Sequence, residues 1–516
     1  MPNTTTTVLI VGSGPTGLTL AVDLARRSVG VRIIDRSPQF PRSSRAKGPN
    51  PRSLEVLEDL GVIDAVLAAG SAPLPMRKYR GGQPVHEADP FAAGHPTPDT
   101  PYDRPWLIAQ WRLEEILRAR LAEYGVEVET GTELVGLAQD EDSVTATLAG
   151  GAEIAARYVV GCDGGHSAVR KLLGVPFDGK TDEHQVMVCG DVEASGPDRG
   201  VWHQWFDEDG AVMLCPIPGT ASGWWFQAGP ETDASGSPVP PSLESFQRLF
   251  AKHTHLPGDL LTRAALLSTY RVNERMVDRY RVGRVFLAGD AAHVHSIAGG
   301  LGMNTGIQDA FNLGWKLARV ATGRAAPELL DTYEEERLPV AAHTLDLTAE
   351  RLRATLEAIR KPGGGLDSAV TPQTFGLDNS YRWSSLATGG GTGRLRAGDR
   401  APDAPCRDTG TGAPRRLFEA FAGPHFTLLG FGAGSTPALR AAAAAHGNDL
   451  RAYAVDAGTA HGLADEGGRA RSAYGIGPDE DALVLVRPDN HIALIAPASD
   501  QRTVAEYLNG EALERA

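Results

Sequence analysis

Three short turns carry the residues whose types and spacing could do chemistry. The first follows the apolar run Val8–Val11 and reads GSGPTG over 12–17. Gly12, Gly14 and Gly17 fit GxGxxG, with Pro15 and Thr16 inside the turn. Residues 18–29, LTLAVDLARRSV, follow with helical spacing, and VRIID then ends at Asp35, with Arg36 beside it. Each part has a task in holding a dinucleotide. Gly12 permits the tight turn, Gly14 lets backbone approach a pyrophosphate, and Gly17 lets helix and strand pack closely. The helix N-terminus offers unpaired N–H groups and a positive dipole end to phosphates, and Asp35 can accept from a ribose hydroxyl. The second turn lies in YVVGCDGGHSAVRK over 158–171, where a strand ends at Asp163. The third lies in VFLAGDAAHVHSIAGGLGMNTGIQDAFNLGWKLARV over 285–320. There a strand ends at Asp290, and the turn AGGLGMN opens a helix. A second ligand-cradling turn makes sense if one long ligand needs two anchors distant in sequence. The first motif alone does not separate NAD from FAD.

The ordered triplet GSGPTG, CDGGHSAVR and GDAAH…GGLGMNTGIQDAFNLGWKLA resembles the single-component FAD-dependent aromatic hydroxylases, the class A flavoprotein monooxygenases. The resemblance runs over about residues 5–360. It implies FAD held by the first and third motifs. The second motif, with Asp163, would serve both FAD and a transiently docked NADPH or NADH. Arg45 in SSRAKGPNPRSLEVLEDLG resembles the arginine such proteins place near the flavin, and Gln110 in LIAQWRLEEILRARL the glutamine on the ribityl chain. Asp290 would hold a ribityl or sugar hydroxyl. Gly300, Gly302, Met303 and Asn304 would present a helix N-terminus to the anion that develops on the reduced ring. The chain departs from many members at Ile297, where they carry proline, and at Leu301, where they carry glutamine. The implied reaction is hydroxylation of an aromatic substrate by O2 through a flavin hydroperoxide. No protein nucleophile, catalytic base or metal site is expected. The resemblance leaves a polycyclic polyketide-type substrate, a simple phenol, and Baeyer–Villiger or epoxidising outcomes open. The rivals are a NAD-dependent dehydrogenase and a flavin-binding scaffold without turnover.

These motifs need elements to position them. The expected fold is α/β: a Rossmann-like FAD-binding domain (1–180 and 270–360), an inserted β-rich substrate domain (181–269), a linker (361–395) and a thioredoxin-like domain without CxxC (396–516). Residues 181–275 alternate in a β pattern between Gly, Pro and Asp turns. The resemblance implies that this sheet forms one wall of the substrate cavity and the flavin the other, which makes Trp205, Trp225 and Ile297 the substrate candidates. His293 and His295 lack the further ligands a metal needs. GFGAGSTPALR (430–440) mimics a nucleotide loop but places Pro437 where the third glycine belongs, so it is rejected. RPDNHIAL (487–494) reads as a hairpin for packing or dimer support.

Composition bounds the partners. The chain has 516 residues, enough for two or three cores. Its net charge of −14 argues against a nucleic-acid binder. No apolar stretch suits a membrane span. Four dispersed cysteines, Cys162, Cys189, Cys215 and Cys406, suit a reducing cytoplasm. The expected partners are an aromatic small molecule and O2, with a homodimer left open.

Overall fold

The computed structural model describes residues 4–359, 361, 364–393, 395–456 and 462–510. Residues 1–3, 360, 362–363, 394, 457–461 and 511–516 fall within the expected domains and linker but lie outside the described residues.

Short parallel strands build the first sheet. Thr4–Val11 pairs in parallel with Val31–Ile34 on one side and Glu153–Gly161 on the other. Val285–Leu287 pairs in parallel with Glu153–Gly161 in turn. Where they are covered on both faces, over 8–11, 158–160 and 285–287, these strands are continuously apolar, and Val8, Leu9 and Ile10 are fully buried. All three glycine turns therefore leave the same edge of one sheet. The first helix spans Pro15–Arg26 and starts three residues before its helical spacing becomes legible, with Pro15 in its first turn.

A nine-stranded sheet forms the second layer. Its order is His293–Val294, Ser268–Met276, Asp178–Ala194, Gly223–Ala228, Gly210–Pro216, Trp202–Asp207, Met76–Arg80, Gln83–Ala88. Leu261–Ala264 pairs with the long strand off this path. The hairpin at 76–88 is distant in sequence, yet Met76–Arg80 runs parallel to Trp202–Asp207. Side-chain alternation divides the sheet into two faces. One packs Val188, Val192, Trp205, Trp224 and Phe226 against Phe246 and Phe250 of the helix Leu243–Thr254. The other carries Cys215, Ile217 and Trp225 toward Leu107 and Ala109, in front of the first domain.

Residues 364–393 are irregular, as their glycines suggest, but they are packed. Tyr381 and Leu386 are buried, and the buried Lys78 pairs with Asp367 at 2.7 Å.

The last layer is an eight-stranded sheet. At its centre the order is Ile492–Pro497, Ala482–Val486, Phe426–Phe431, Leu450–Val455. Phe426–Phe431 is parallel to Leu450–Val455 and antiparallel to Ala482–Val486, with the helix Thr436–His446 as the crossover. This is thioredoxin topology. GFGAGSTPALR holds no ligand space at its first glycines: a Cβ on Gly432 or Gly434 would lie 1.8 or 2.3 Å from the Asp481 carboxylate.

The hairpin turn at 487–491 is buried in the first domain. Arg487 reaches both oxygens of Glu336 at 2.5 and 2.9 Å and also pairs with Asp489 at 2.5 Å. Lys316 donates to Glu336 at 2.6 Å, and the Trp315 indole N–H to Asp489 at 3.1 Å. Burial raises the Glu336 and Asp489 carboxyls, and Arg487 more than reverses this, holding both well below the usual range.

Candidate active site

The first and third turns touch. A Cβ added to Gly289 or Gly306 would lie 2.6 or 2.3 Å from Thr16 Oγ1, so the two motifs meet with no room for side chains. Arg170 of the second motif donates to the carbonyl of Ala291 at 2.8 Å and to that of Gly165 at 2.7 Å. Cys162 N donates to Val11 O at 2.8 Å. The three segments form one surface.

Within it the glycines divide into two kinds. Gly12, at φ +102°, and Gly17 are closed in by the chain: an added Cβ would lie 2.4 Å from Cys162 O or 2.0 Å from Gly12 O. Gly14, Gly164 and Gly300 face open space, with no protein atom within 4 Å of an added Cβ. The first kind shapes the turn. The second leaves a cradle whose walls are backbone, which suits a pyrophosphate and a flat ring approaching the main chain. The residues present therefore fit a flavin dinucleotide.

Asp35 accepts from Ser13 N at 2.8 Å, Ser13 Oγ at 2.7 Å and Ser37 N at 2.9 Å. Burial alone would raise its carboxyl, but these N–H and O–H donors hold it below the usual range. It stays ionised, able to accept a further hydrogen bond. Arg36 beside it is exposed. Asp163 is already engaged: it accepts from Ser167 Oγ at 2.5 Å and Ala168 N at 2.6 Å, capping the helix Ala168–Leu172. Asp290 reaches solvent in the groove, while the surrounding protein raises its carboxyl against the pull of His293 and Arg45. Below it, Asp309 accepts from Gly289 N at 3.0 Å and lies 2.8 Å from His293 Nε2. Despite burial, Arg337 and His293 hold Asp309 down at about 2. His293 is thus part of the turn's support. Among the described residues no group of three His, Cys, Asp or Glu side chains could hold a metal ion. No described helix is long and apolar enough to cross a membrane.

The strip 44–50 runs along the cradle and connects its ends. Gln110 Oε1 accepts from Ala46 N at 3.1 Å and Arg45 N at 3.3 Å, while its amide donates to Glu114 at 2.9 Å. Burial pushes Glu114 up to about 7. Arg45 itself is exposed beside Asp290. At the far end, Asn50 N donates to Asn304 Oδ1 at 2.8 Å, and Asn304 donates to Gly300 O at 2.8 Å. Asn304 thus holds the turn that precedes its own helix, Gly302–Ala321, and leaves the N–H groups around Gly302 and Met303 at the helix start. Ile297 is 37% exposed at the rim, whereas Leu301 is buried.

The two tryptophan candidates separate. Trp225 lies on the face toward the first domain. Trp205 lies on the other face, stacked on Tyr79 at 4.7 Å and set against Phe250. It supports the sheet from behind. The sequence reading omitted Ser44, Lys47, Asn50 and Asp191. Ser44 N donates to Asp191 Oδ2 at 2.8 Å, which fastens the strip to the sheet. No local pattern marks this contact across 147 residues.

Comparison with known proteins agrees with this geometry. The family model for a FAD binding domain matches residues 5–348, and that for the aromatic-ring hydroxylase C-terminal domain matches residues 395–515. A flavin-dependent monooxygenase of Mycobacteroides abscessus is 42% identical, over 97% of this chain and 99% of its own. The 6-methylpretetramide 4-monooxygenase of Streptomyces rimosus is 34% identical, over 97% of this chain and 92% of its own. The crystal structure of aklavinone-11 hydroxylase in a ternary complex with FAD and aklavinone superposes with a TM-score of 0.83 at 29% identity, covering 100% of both chains. With the cradle formed by the first and third turns, these matches show that the chain belongs to the FAD-dependent aromatic-ring hydroxylases, a family of flavin-dependent monooxygenases.

Proposed function

We propose that the protein hydroxylates a polycyclic, phenolic polyketide-type substrate at the expense of NADPH or NADH and O2. A flavin held in this cradle would supply the redox chemistry, hydride acceptance from the nicotinamide and activation of O2 towards an electron-rich ring carbon. The chain's own residues do the rest. Gly12, Gly14, Thr16 and Gly17 hold the pyrophosphate end, and Asp35 accepts from the adenosine ribose. Asp290 and the strip at Arg45 take the ribityl side. The N–H groups at Gly302 and Met303 stabilise negative charge on the reduced ring. The sheet face bearing Trp225 closes the opposite wall and excludes water from the reacting carbon.

The observation that carries this reading is the contact of the first and third turns through Thr16, Gly289 and Gly306, which makes one cradle facing that sheet. The relatives support the substrate class, since their names include 6-methylpretetramide 4-monooxygenase and aklavinone 12-hydroxylase. The test is a visible spectrum of the purified protein, then NADPH oxidation with O2 uptake across simple phenols and polycyclic phenolic ketones. A flavin spectrum with turnover stimulated by the polycyclic compounds is expected. Stimulation by simple phenols alone would overturn the polycyclic assignment. Stimulation by none of them would overturn the hydroxylase reading.

A further inference from the structure

Lys47 sits between the cradle and the sheet. Its backbone carbonyl accepts from Ile108 N at 2.9 Å, and the strip is tied on either side of it, through Ala46 to Gln110 and through Asn50 to Asn304. The side chain leaves the cradle toward the second layer. Its Nζ donates to Gln227 Oε1 at 2.8 Å and lies 5.4 and 6.0 Å from the ring centroids of Trp202 and Trp225. An ammonium over two indole faces is held by their quadrupoles, but these supply no counter-charge. Among the described residues no carboxylate forms an ion pair with it.

The groups that face Lys47 come from four strands. Cys189 and Asp191 lie on the long strand 178–194, Trp202 on 202–207, Cys215 on 210–216, and Gln227 with Trp225 on 223–228. None is a good anion. Burial pushes Cys215 up to about 12 and raises Cys189 as well, so both thiols stay neutral. Burial also pushes Asp191 up to about 7, against the Ser44 N–H and Lys47. Burial in turn lowers the Lys47 pKa. The wall has further unmet capacity: the indole N–H groups of Trp202 and Trp225 and Oδ1 of Asp191 are buried without a hydrogen-bond partner. Buried polar groups are ordinarily satisfied, so this concentration beside a cation marks a place completed by a ligand.

We propose that Lys47 is the substrate-binding residue that holds an ionised phenol or enol oxygen, on the wall formed by Trp202, Trp225 and Asp191. The proposal rests on the hydroxylase reading above and names the ligand chemistry of that same site: a flat aromatic carrying an acidic hydroxyl. The hydroxyl proton leaves to solvent, and the oxyanion stays paired with the Lys47 ammonium, which leaves the ring richer in electrons. A cation and two indole faces suit such a ligand better than a neutral hydrocarbon.

The experiment uses the FAD-loaded full chain and alizarin, a dihydroxyanthraquinone whose neutral and anionic forms differ in colour. Its bound spectrum is recorded from acid to neutral pH with wild type, Lys47→Met and Lys47→Arg. Lys47→Gln, which preserves hydrogen bonding to Gln227, replaces the Met variant if that does not fold. The ionisation midpoint of the bound dye should fall in wild type by about one pH unit or more, a tenfold shift. The shift should persist in Lys47→Arg and vanish in the neutral variants, with flavin content unchanged. Equal midpoints in wild type and the neutral variants overturn the proposal, as does wild type that neither binds nor ionises the dye. A flavoprotein giving that result keeps the monooxygenase reading. Dye ionisation by a chain that binds no flavin keeps the subsite and removes the monooxygenase reading.

Discussion

Arg487 and Lys47 are both cations set inside the protein against aromatic rings, and their surroundings treat them oppositely. Arg487 lies 5.3 Å from the Trp315 centroid and 5.5 Å from that of Tyr381, and it is bound by two carboxylates, Glu336 and Asp489. Both carboxylates have further donors in Lys316, Asn312, Ser384 and Trp315. Lys47 has comparable aromatic neighbours but a single neutral amide acceptor. The charges of the hairpin cluster are paired within it, and it joins the last layer to the first. The sheet wall is open in hydrogen-bonding terms. A polar group that serves architecture is satisfied by the chain, because an unpaired buried charge costs several kcal/mol. One that serves a ligand is left short of partners, and the ligand supplies them.

That contrast predicts a hierarchy. Arg487→Met leaves Glu336 and Asp489 buried with their main counter-charge gone. It should destabilise the FAD-loaded protein by about 3–5 kcal/mol in denaturant unfolding. Lys47→Met, which frees only an amide, should cost about 1 kcal/mol. Equal losses would erase the distinction between the two regions.

Asp191→Asn sharpens it further. The folded pKa of Asp191 lies above its unfolded value, so its contribution to stability is complete below the unfolded value and is lost as pH rises through about 7. The amide retains an acceptor for Ser44 N. The variant should therefore match wild type near pH 3.5 and gain on it up to pH 7, by about 2–4 kcal/mol. A stability difference that does not change with pH would show that Asp191 is not held neutral by its burial.

Gly14→Ala probes the open cradle. No protein atom opposes the new methyl, so flavin-free stability should change by under about 0.5 kcal/mol. FAD affinity, measured by flavin fluorescence, should fall about tenfold or more. Gly17→Ala, aimed at Gly12 O, should lose both folding stability and flavin. The smallest effect is at the surface: Arg248→Ala breaks its exposed pair with Glu231 and should change stability by under about 1 kcal/mol.

Much of the cradle is legible in the chain because its parts are neighbours in sequence. A strand, a glycine turn and a helix start lie within about ten residues of each other, and each motif brings its own geometry. The apolar runs at 8–11 and 285–287 are strands for the same reason: burial on both faces demands continuous apolar residues. The rejected loop at 430–440 was also a local matter, and Asp481 fills the place a phosphate would need. The tryptophans show where this stops. Alternation puts Trp224 and Trp225 on opposite faces of a strand, but which face meets the helix Leu243–Thr254 and which meets the first domain depends on the packing of whole layers. Trp205 fell on the helix side for that reason.

The sequence by itself determined the three turns, their order, the acid at the end of each strand, and hence a protein that cradles a long dinucleotide. Only the tertiary structure decided that Thr16 meets Gly289 and Gly306, that Asn50 ties to Asn304, that the hairpin 487–491 is an ion-paired plug, and that Lys47 faces a wall without a counter-charge. The reason is physical. Backbone turns are set by the φ/ψ preferences of adjacent residues, whereas burial, pairing and the absence of a partner depend on which distant segments are brought together.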